Sequence, residues 1–246
     1  MIKLKSYQEI EILKEGGKIL AAIMAEISAK IKPGVTTGSL NIEAERLARK
    51  AGASPAFLGY QGFPASLCVS VNEVVVHGVP GRYVLKEGDI VSLDLGIKYK
   101  GLITDMAATF PVGEISEEAK KLIMVAEEAL RLAISQALPG NRIGDIGFAI
   151  QNYTESQGFN VIRDLIGHGV GYEVHEEPEI PNFGRRGNGL ELKPGMVLAI
   201  EPMVSAGDWH VRQLKDGSFV TRDSSLAAHF EHTVAITGNG AEILTI

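Results

Sequence analysis

The stretch Asp89–Asp105, DIVSLDLGIKYKGLITD, predicts a strand, a turn and a second strand, with two aspartates set among apolar residues. Alternation along the first strand places Ile90, Ser92 and Asp94 on one face of the predicted sheet. A carboxylate at the end of such a strand is costly to bury unless a cation or hydrogen-bond donors meet it. Because no lysine or arginine alternates with Asp94 and Asp105, the rest of the chain has to supply their partner.

The composition is that of a globular protein with a sizeable core. The chain has 246 residues, of which 45% are hydrophobic and 22% charged, and its formal net charge is −6. This balance argues against general nucleic-acid binding, and the single cysteine excludes disulfides and thiolate zinc clusters within the chain. The N-terminal residues lack the apolar core of a signal peptide, and no apolar run reaches membrane-spanning length. We therefore expect a cytoplasmic protein with no membrane partner.

Helices and strands are predicted in blocks rather than in alternation. The four predicted helices run from a capping box at Ser6 to Lys32, then over 39–51, over 114–139 with Ser116 as N-cap, and from an Asp145 N-cap to Gln157. Strands are predicted over 66–76 as a hairpin around Asn72-Glu73, and over 90–112, 161–163, 196–203, 211–215, 219–222, 231–236 and 242–246, with a loop up to Gly189. Helix pairs followed by strand blocks favour an α+β fold.

An internal repeat divides the chain. LKEGDIVSLD (85–94) aligns with LKPGMVLAIE (192–201) at an offset of 107 residues, and Pro33-Gly34 aligns with Pro139-Gly140 at 106. The repeat matches Asp94 to Glu201, and the following strands bring Asp105 and Glu231. We therefore expect one catalytic domain, 1–246, with an N-terminal half of about 1–112 and a C-terminal half of about 113–246. Two halves related by a pseudo-two-fold axis would bring four carboxylates to a shared centre.

Four carboxylates at one centre repel one another, and divalent cations would neutralise them. An oxygen-rich set with an imidazole suits manganese, iron or cobalt, with zinc as a further candidate, and two such ions suit metal-assisted hydrolysis. Taken singly, each group has a simpler interpretation. A strand-end carboxylate can bind backbone amides, the Gly-His-Gly histidine His168 can shape a turn, and His175 can lie at the surface.

Several motifs together resemble the type I methionine aminopeptidases, which have the pita-bread fold. The resemblance covers essentially the whole chain and rests on HGVP (77–80), LDLG with Asp94, TDMAAT with Asp105, GHGVGYEVHEEP (167–178), IEPM with Glu201 and FEHTV with Glu231. It implies an α+β pita-bread fold, with two pseudo-symmetric halves and an antiparallel sheet covered by two helix pairs.

The resemblance also implies roles for particular residues. Two divalent ions per chain, of cobalt, manganese, iron or zinc, would be bound by Asp94, Asp105, His168, Glu201 and Glu231. His77 and His175 would be catalytic histidines that contact the substrate without binding metal, and Glu201 would also shuttle a proton. Tyr60, Phe63 and Cys68 match the family's methionine pocket, whereas the pocket's shape is left open by departures at Phe57, Val174, Ser218 and Phe219.

The implied reaction is removal of the N-terminal methionine from nascent proteins and peptides with a small second residue. We also expect a monomer, transient association with ribosomes and no specific nucleic-acid partner. One alternative is an X-Pro peptidase of the same fold, although the large N-terminal domain typical of those enzymes is missing. A second alternative is a pita-bread binding module without catalysis, although such relatives usually lose metal ligands and all five are present here.

Overall fold

The computed structural model describes residues 2–246, over which four α-helices and fifteen β-strands follow one another. The helices are α1 (Tyr7–Ser28), α2 (Thr37–Lys50), α3 (Glu117–Gln136) and α4 (Ile143–Ser156). The strands are β1 (Ser54–Pro55), β2 (Cys68–Val71), β3 (Val74–Val76), β4 (Ile90–Tyr99), β5 (Leu102–Pro111), β6 (Asn160–Val161), β7 (Ile166–Gly169), β8 (Glu176–Pro181), β9 (Val197–Ile200), β10 (Met203–Ser205), β11 (Val211–Gln213), β12 (Phe219–Thr221), β13 (Ala227–His229), β14 (Glu231–Thr237) and β15 (Gly240–Ile243). None of the helices in this part of the chain is long and apolar enough to cross a membrane.

Helix α1 begins where the sequence predicts. The Ser6 hydroxyl accepts a hydrogen bond from the Glu9 N–H at 3.3 Å, and the Glu9 carboxylate accepts from the Ser6 N–H at 2.8 Å. These reciprocal bonds satisfy two backbone donors that the first turn would otherwise leave free. The helix ends at Ser28, a turn earlier than predicted, because bonds of the i to i+3 type tighten the chain ahead of Pro33.

Helix α3 has the predicted N-cap, whereas the predicted cap of α4 is wrong. The Ser116 hydroxyl accepts from the Ala119 N–H at 3.1 Å. Asp145, predicted as a cap, is instead the third residue of α4, and its carboxylate accepts from the Arg142 N–H at 2.8 Å. The same carboxylate accepts from the Gly187 N–H, also at 2.8 Å. Asp145 therefore joins the helix start to a distant loop, a contact that local sequence does not reveal.

The strand pair predicted from the opening stretch is confirmed. Strands β4 and β5 pair antiparallel from Ile90 opposite Pro111 to Tyr99 opposite Leu102. The turn between them, Lys100-Gly101, has positive φ at both residues, 47° and 89°. This backbone conformation matches the twist of a two-residue hairpin, and glycine adopts it without steric cost.

One nine-stranded sheet contains elements from both ends of the chain. Its order is β1-β4-β5-β14-β9-β7-β8, with β2 also paired to β4 and β15 to β14. Strand β14 pairs antiparallel with β5 on one side and β9 on the other. Helices α1 and α2 pack with β4 in one hydrophobic cluster, and α3 and α4 pack with β9 and β14 in another. This arrangement confirms the predicted α+β fold with two helix pairs on an antiparallel sheet.

Two strand predictions are wrong. The segment 66–76 does turn at Asn72, but β2 pairs with β4 and β3 pairs with β12, so that they form no hairpin ladder with each other. The Asn72 amide fixes this arrangement because it accepts from the Ile90 N–H at 3.0 Å and donates to Asp89 at 2.9 Å. Strand β8 lies in a segment predicted as loop, where two prolines and three glutamates mask the alternation. Periodicity indicates a strand but not its partner.

Backbone contacts repeat between the two halves. The Gly34 N–H donates to the Leu85 carbonyl at 2.8 Å, and the Gly140 N–H donates to the Leu192 carbonyl at 3.0 Å. Both donors follow the aligned prolines, and both acceptors begin the aligned LK-containing segments. In both halves, the sequence repeat therefore corresponds to a hydrogen bond between the segment that precedes a helix and the segment that leads into β4 or β9.

Candidate metal centre and active site

Three carboxylates project from one face of neighbouring strands. In the register of the sheet, Asp94 on β4 and Glu231 on β14 both lie opposite Ala107 on β5, one from each side. Asp105 lies two residues before Ala107 and so shares its face. All three carboxylates are buried. The pairing of β14 with β5 is thus what brings an acid of the C-terminal half beside the two acids of the opening stretch.

Strands β7 and β9 add the remaining predicted ligands. His168 lies opposite Ala199, and Glu201 directly follows β9. Ligand atoms of Asp105, His168 and Glu231 all lie within 4.8 Å of one another. His168 Nε2 is 3.4 Å from Glu201 Oε1, and Glu201 is also buried. The structure therefore brings all five sequence-predicted ligands to one centre.

The environment of this centre strongly disfavours bare negative charge. Burial raises the pKa of Asp105 to about 7. Burial also raises the pKa of Asp94, Glu201 and Glu231 well above its usual range, and the neighbouring carboxylates add to the effect. Among residues 2–246, Asp94 Oδ1 and Glu231 Oε1 are buried without a hydrogen-bond partner. A bound cation would offset both the repulsion and the unmet hydrogen-bonding capacity.

The tautomer of His168 points to the same conclusion. Its Nδ1 is 2.9 Å from the Gly169 carbonyl oxygen, which can only accept, so Nδ1 carries the proton. Burial, with a smaller contribution from His175, lowers the pKa of His168 to about 3 and keeps the ring neutral. Nε2 therefore presents a lone pair to the carboxylate group, an arrangement that suits metal ligation. The donor set, oxygen-rich with one imidazole nitrogen, fits divalent metal binding.

A cavity of about 310 Å³ opens over this centre. His175 lines it, with Nδ1 3.0 Å from the Tyr60 hydroxyl oxygen and its ring 4.4 Å from that of His168 between centroids. His77 lines it as well, and its ring meets that of Phe219 edge-on at 5.8 Å. Burial lowers the pKa of both His77 and His175. Two neutral imidazoles thus line a cavity whose base is formed by the buried carboxylates.

Comparison with known proteins identifies the family to which the chain belongs. The model of the metallopeptidase family M24 matches residues 11–238. The chain belongs to metallopeptidase family M24. A methionine aminopeptidase of Clostridium perfringens is 53% identical over 100% of this chain and 99% of its own length. The crystal structure of a methionine aminopeptidase from Thermotoga maritima superposes with a TM-score of 0.98 at 51% identity, covering 100% of this chain and 99% of that one. The resemblance seen in the motifs, and the pita-bread fold that it implies, are confirmed.

The M24 fold is shared with proteins that carry additional sequence. The Xaa-Pro dipeptidase of Bacillus anthracis matches 98% of this chain but only 61% of its own length, at 27% identity and a TM-score of 0.79. This chain is therefore more similar, in both sequence and extent, to the methionine aminopeptidases than to that dipeptidase.

One part of the cavity wall of this M24 chain is aromatic and aliphatic. Tyr60, Phe63 and Cys68, predicted for the methionine pocket, line it together with Phe57 and Val174. Phe57 fits because Gly96 faces it: a Cβ at Gly96 would lie 2.6 Å from the Phe57 ring. Phe57 and Gly96 are thus complementary in size, which local sequence does not reveal.

The β11–β12 hairpin borders the cavity. Gln213, Asp216 and Gly217 line it, whereas Ser218 and Phe219 are set back from the lining. Phe219 instead packs on His77. Trp209, which precedes β11, stacks on His210 with 3.6 Å between the ring centroids.

Sequence reasoning left one buried histidine without a role. His229 Nε2 is 3.3 Å from Glu201 Oε2, and burial lowers the pKa of His229 to about 3. His229 stands two residues before Glu231, a spacing that places both on one side of an extended chain and could have linked them. His232, by contrast, turns away from the centre, with Nδ1 2.8 Å from the Thr245 hydroxyl oxygen.

Proposed function

We propose that this chain is a methionine aminopeptidase, which hydrolyses the first peptide bond of proteins and peptides that begin with methionine. The observation that carries the proposal is the full-length identity of 53% to a protein of that name, combined with a buried carboxylate and histidine centre at the base of the cavity. The N-terminal methionine of nascent polypeptides with a small second residue is the substrate that we infer. The aromatic and aliphatic wall with Tyr60, Phe63 and Cys68 supports this choice, because an apolar pocket suits a thioether side chain.

We infer two divalent ions per chain, of cobalt, manganese, iron or zinc, held by Asp94, Asp105, His168, Glu201 and Glu231. Divalent ions at such a centre supply Lewis-acid polarisation of a carbonyl and a nucleophilic water at neutral pH. The residues themselves prepare the site. His168 offers Nε2 because the Gly169 carbonyl holds the proton on Nδ1. Glu201 is also the proposed proton carrier, because a carboxylate at the centre can accept a proton from one reacting group and pass it to another.

The two cavity histidines have distinct proposed roles. The Tyr60 hydroxyl accepts from the Gln61 amide at 3.2 Å and lies 3.0 Å from His175 Nδ1. If the hydroxyl donates to Nδ1, Nε2 keeps its proton and can donate to the oxygen that becomes negative in the transition state. His77, neutral and packed on Phe219, would contact the scissile amide or the second residue of the substrate.

We further propose that residues 1–246 act as a single catalytic domain, because strands of both proposed halves contribute to the centre. A cytoplasmic, monomeric enzyme in transient contact with ribosomes fits a substrate that is a newly made polypeptide. The X-Pro alternative is not favoured, because the matching dipeptidase is longer and only 27% identical. The non-catalytic alternative is not favoured either, because a complete donor set is retained.

Peptide hydrolysis with controlled metal content tests the function. We expect cleavage of Met-Ala-Ser and no comparable cleavage of Ala-Pro, loss of activity on chelation, and recovery with manganese, cobalt or iron. Glu201→Ala and Asp105→Ala are expected to lose activity, whereas Asp208→Asn, at the surface, should retain it. Preference for the proline peptide, or near-normal rates in either ligand variant, would show that the assignment is wrong.

A further inference from the structure

The N-terminal segment, residues 2–6, is fixed to the body of the protein by a deeply buried ion pair. Lys5 Nζ lies 2.6 Å from Glu176 Oε2, and the two side chains are 2% and 7% exposed. In residues 2–246, no other pair of a lysine or arginine with a carboxylate has both side chains below one-tenth exposure. The Lys5 N–H also donates to the Gly195 carbonyl at 2.7 Å. Burying both charges of an ion pair has a high desolvation cost, so the position of this pair suggests a specific role.

The acidic partner stands next to a cavity histidine. Glu176 directly follows His175 and begins β8. Its Oε1 accepts from the N–H groups of Tyr172 and Glu173, the second at 3.0 Å. The carboxylate thus closes the turn of the loop 170–175, which carries His175. One oxygen of Glu176 binds the loop, and the other binds Lys5.

Further contacts hold the same loop close to the Lys5 side chain. At Gly171, where φ is 140°, a Cβ would lie 2.6 Å from Lys5 Cε, so this position accepts only glycine while the lysine passes. The Ile103 N–H donates to the Gly171 carbonyl at 2.7 Å. The Tyr172 hydroxyl donates to Glu9, in the first turn of α1, at 2.7 Å. The loop is therefore fixed by β5, by α1 and by the N-terminal segment.

We propose that Lys5 is a positioning residue for His175. Its ammonium forms an ion pair with the Glu176 carboxylate. That carboxylate holds the turn that places the His175 ring against His168 and Tyr60. The proposal rests on the proposed function only for the consequence in catalysis; the effect on the position of His175 stands apart from it.

Removal of the ammonium should act on the transition state. In Lys5→Met, the Glu176 carboxylate is left buried without its counter-charge, and it regains solvation by opening the turn. His175 then loses its alignment. Because we propose that His175 stabilises the transition state rather than the bound peptide, kcat and kcat/KM should fall together while KM changes little. Misplaced groups of this kind reduce rates by about 10- to 100-fold.

Kinetics on the metal-loaded enzyme test this, with Met-Ala-Ser as substrate and a temperature at which circular dichroism shows every variant folded. Lys5→Met should lower kcat about 10- to 100-fold, the usual effect of removing a residue that orients a catalytic group. Lys3→Met is the matched control, because Lys3 lies in the same segment, 5.4 Å over the Tyr172 ring, but is exposed and outside the ion pair. Its kcat should stay within about twofold of wild type, as for most exposed positions. Equal losses in the two variants, or an unchanged kcat in folded Lys5→Met, would overturn the proposal.

A double-mutant cycle separates this mechanism from general weakening. In Glu176→Gln one oxygen can still accept from the loop N–H groups, but an amide N–H₂ meets Lys5. The double variant Lys5→Met/Glu176→Gln removes both charges together, so its kcat should be no lower than that of the poorer single variant. Losses that simply multiply would contradict the coupling. If Lys5→Met does not fold, Glu176→Gln alone still has to show the fall in kcat at constant KM.

An NMR measurement tests the positioning role of Lys5 without relying on enzyme activity. In protein labelled with ¹³C-histidine and prepared without metal, the His175 ring signal is assigned by its disappearance in His175→Gln. Lys5→Met should shift or broaden this signal and leave that of the half-buried His210 unchanged, whereas Lys3→Met should change neither. An unshifted His175 signal in Lys5→Met refutes the positioning role. A shifted signal in a protein that cleaves no methionine peptide would refute the proposed function alone.

Discussion

His229 contacts Glu201, one of the proposed metal ligands. His229 Nε2 lies 3.3 Å from Glu201 Oε2 without a hydrogen bond between them. Because the histidine is buried, its ring limits the space into which the Glu201 side chain can turn. Groups that orient a ligand in this way commonly change metal affinity when removed.

We therefore expect His229→Ala to weaken metal binding about 10- to 100-fold, the usual effect of removing such a partner. Titration calorimetry with manganese measures this directly. His210→Ala is the control, because His210 pairs with Asp208 at the surface, and its affinity should match wild type. Unchanged affinity in His229→Ala would mean that Glu201 is oriented without it.

The site residues differ in how far sequence could predict them. The internal repeat matched Glu201 to Asp94, since the two aligned segments, 85–94 and 192–201, both end in an acid. Lys5 and Glu176 stand 171 residues apart and share no motif, so their contact exists only once the N-terminal segment has packed on the loop. Residues that belong to a periodic element or a repeat are predictable, whereas contacts between distant loops are not.

Two adjacent glycines show how closely α1 packs on the end of the chain. A Cβ at Gly17 would lie 2.0 Å from the Leu244 carbonyl oxygen, a backbone atom that cannot turn aside. A Cβ at Gly16 would lie 3.4 Å from the Tyr99 Cβ, which is an ordinary contact. Gly17 is thus required by packing, while Gly16 is not.

Gly17→Ala should lower the free energy of unfolding by about 1–3 kcal/mol, as expected for overpacking against backbone. Gly16→Ala should be neutral or stabilising by up to about 1 kcal/mol, because alanine favours a helix over glycine. Urea denaturation of both variants under identical metal conditions gives the comparison. A stable Gly17→Ala variant would show that α1 can shift away from residue 244.

Elements were predictable where local chemistry decides them. The Ser6 capping box, the Ser116 cap and the Lys100-Gly101 turn are fixed by residues within a few positions of one another. The partners of β2 and β3 were not predictable, because the Asn72 side chain directs them through Asp89 and Ile90. Alternation specifies which face is buried and leaves the neighbouring strand open.

The molecule as a whole should be more stable with metal, because the centre joins strands from both ends of the chain. At a metal concentration about 100 times Kd, the expected gain is about 2.7 kcal/mol. For a chain of this length that corresponds to a rise in Tm of about 5–10 °C. Asp94→Asn should lose most of this rise, as measured by differential scanning fluorimetry with and without manganese.

Asp89→Asn is the matched control for that experiment. Asp89 is also buried, but it accepts hydrogen bonds from the Asn72 amide, the Tyr83 hydroxyl and the Lys86 N–H, at 2.9, 3.0 and 2.9 Å. We expect Asp89→Asn to lower Tm both with and without manganese. The rise in Tm on adding manganese should remain as large as in wild type. If metal raised the Tm of Asp94→Asn as much as that of wild type, Asp94 would not be a metal ligand.

The position of β14 has a consequence for the order of assembly during synthesis. Its residues, Glu231–Thr237, are made after those of both neighbouring strands, yet they fill the gap between β5 and β9. Until then the emerging chain carries two unpaired strand edges that can recruit other chains. The contacts that close the sheet are also far apart in sequence, which slows folding. Completion of the sheet therefore waits for the synthesis of β14, and aggregation before that point is the hazard that this topology creates.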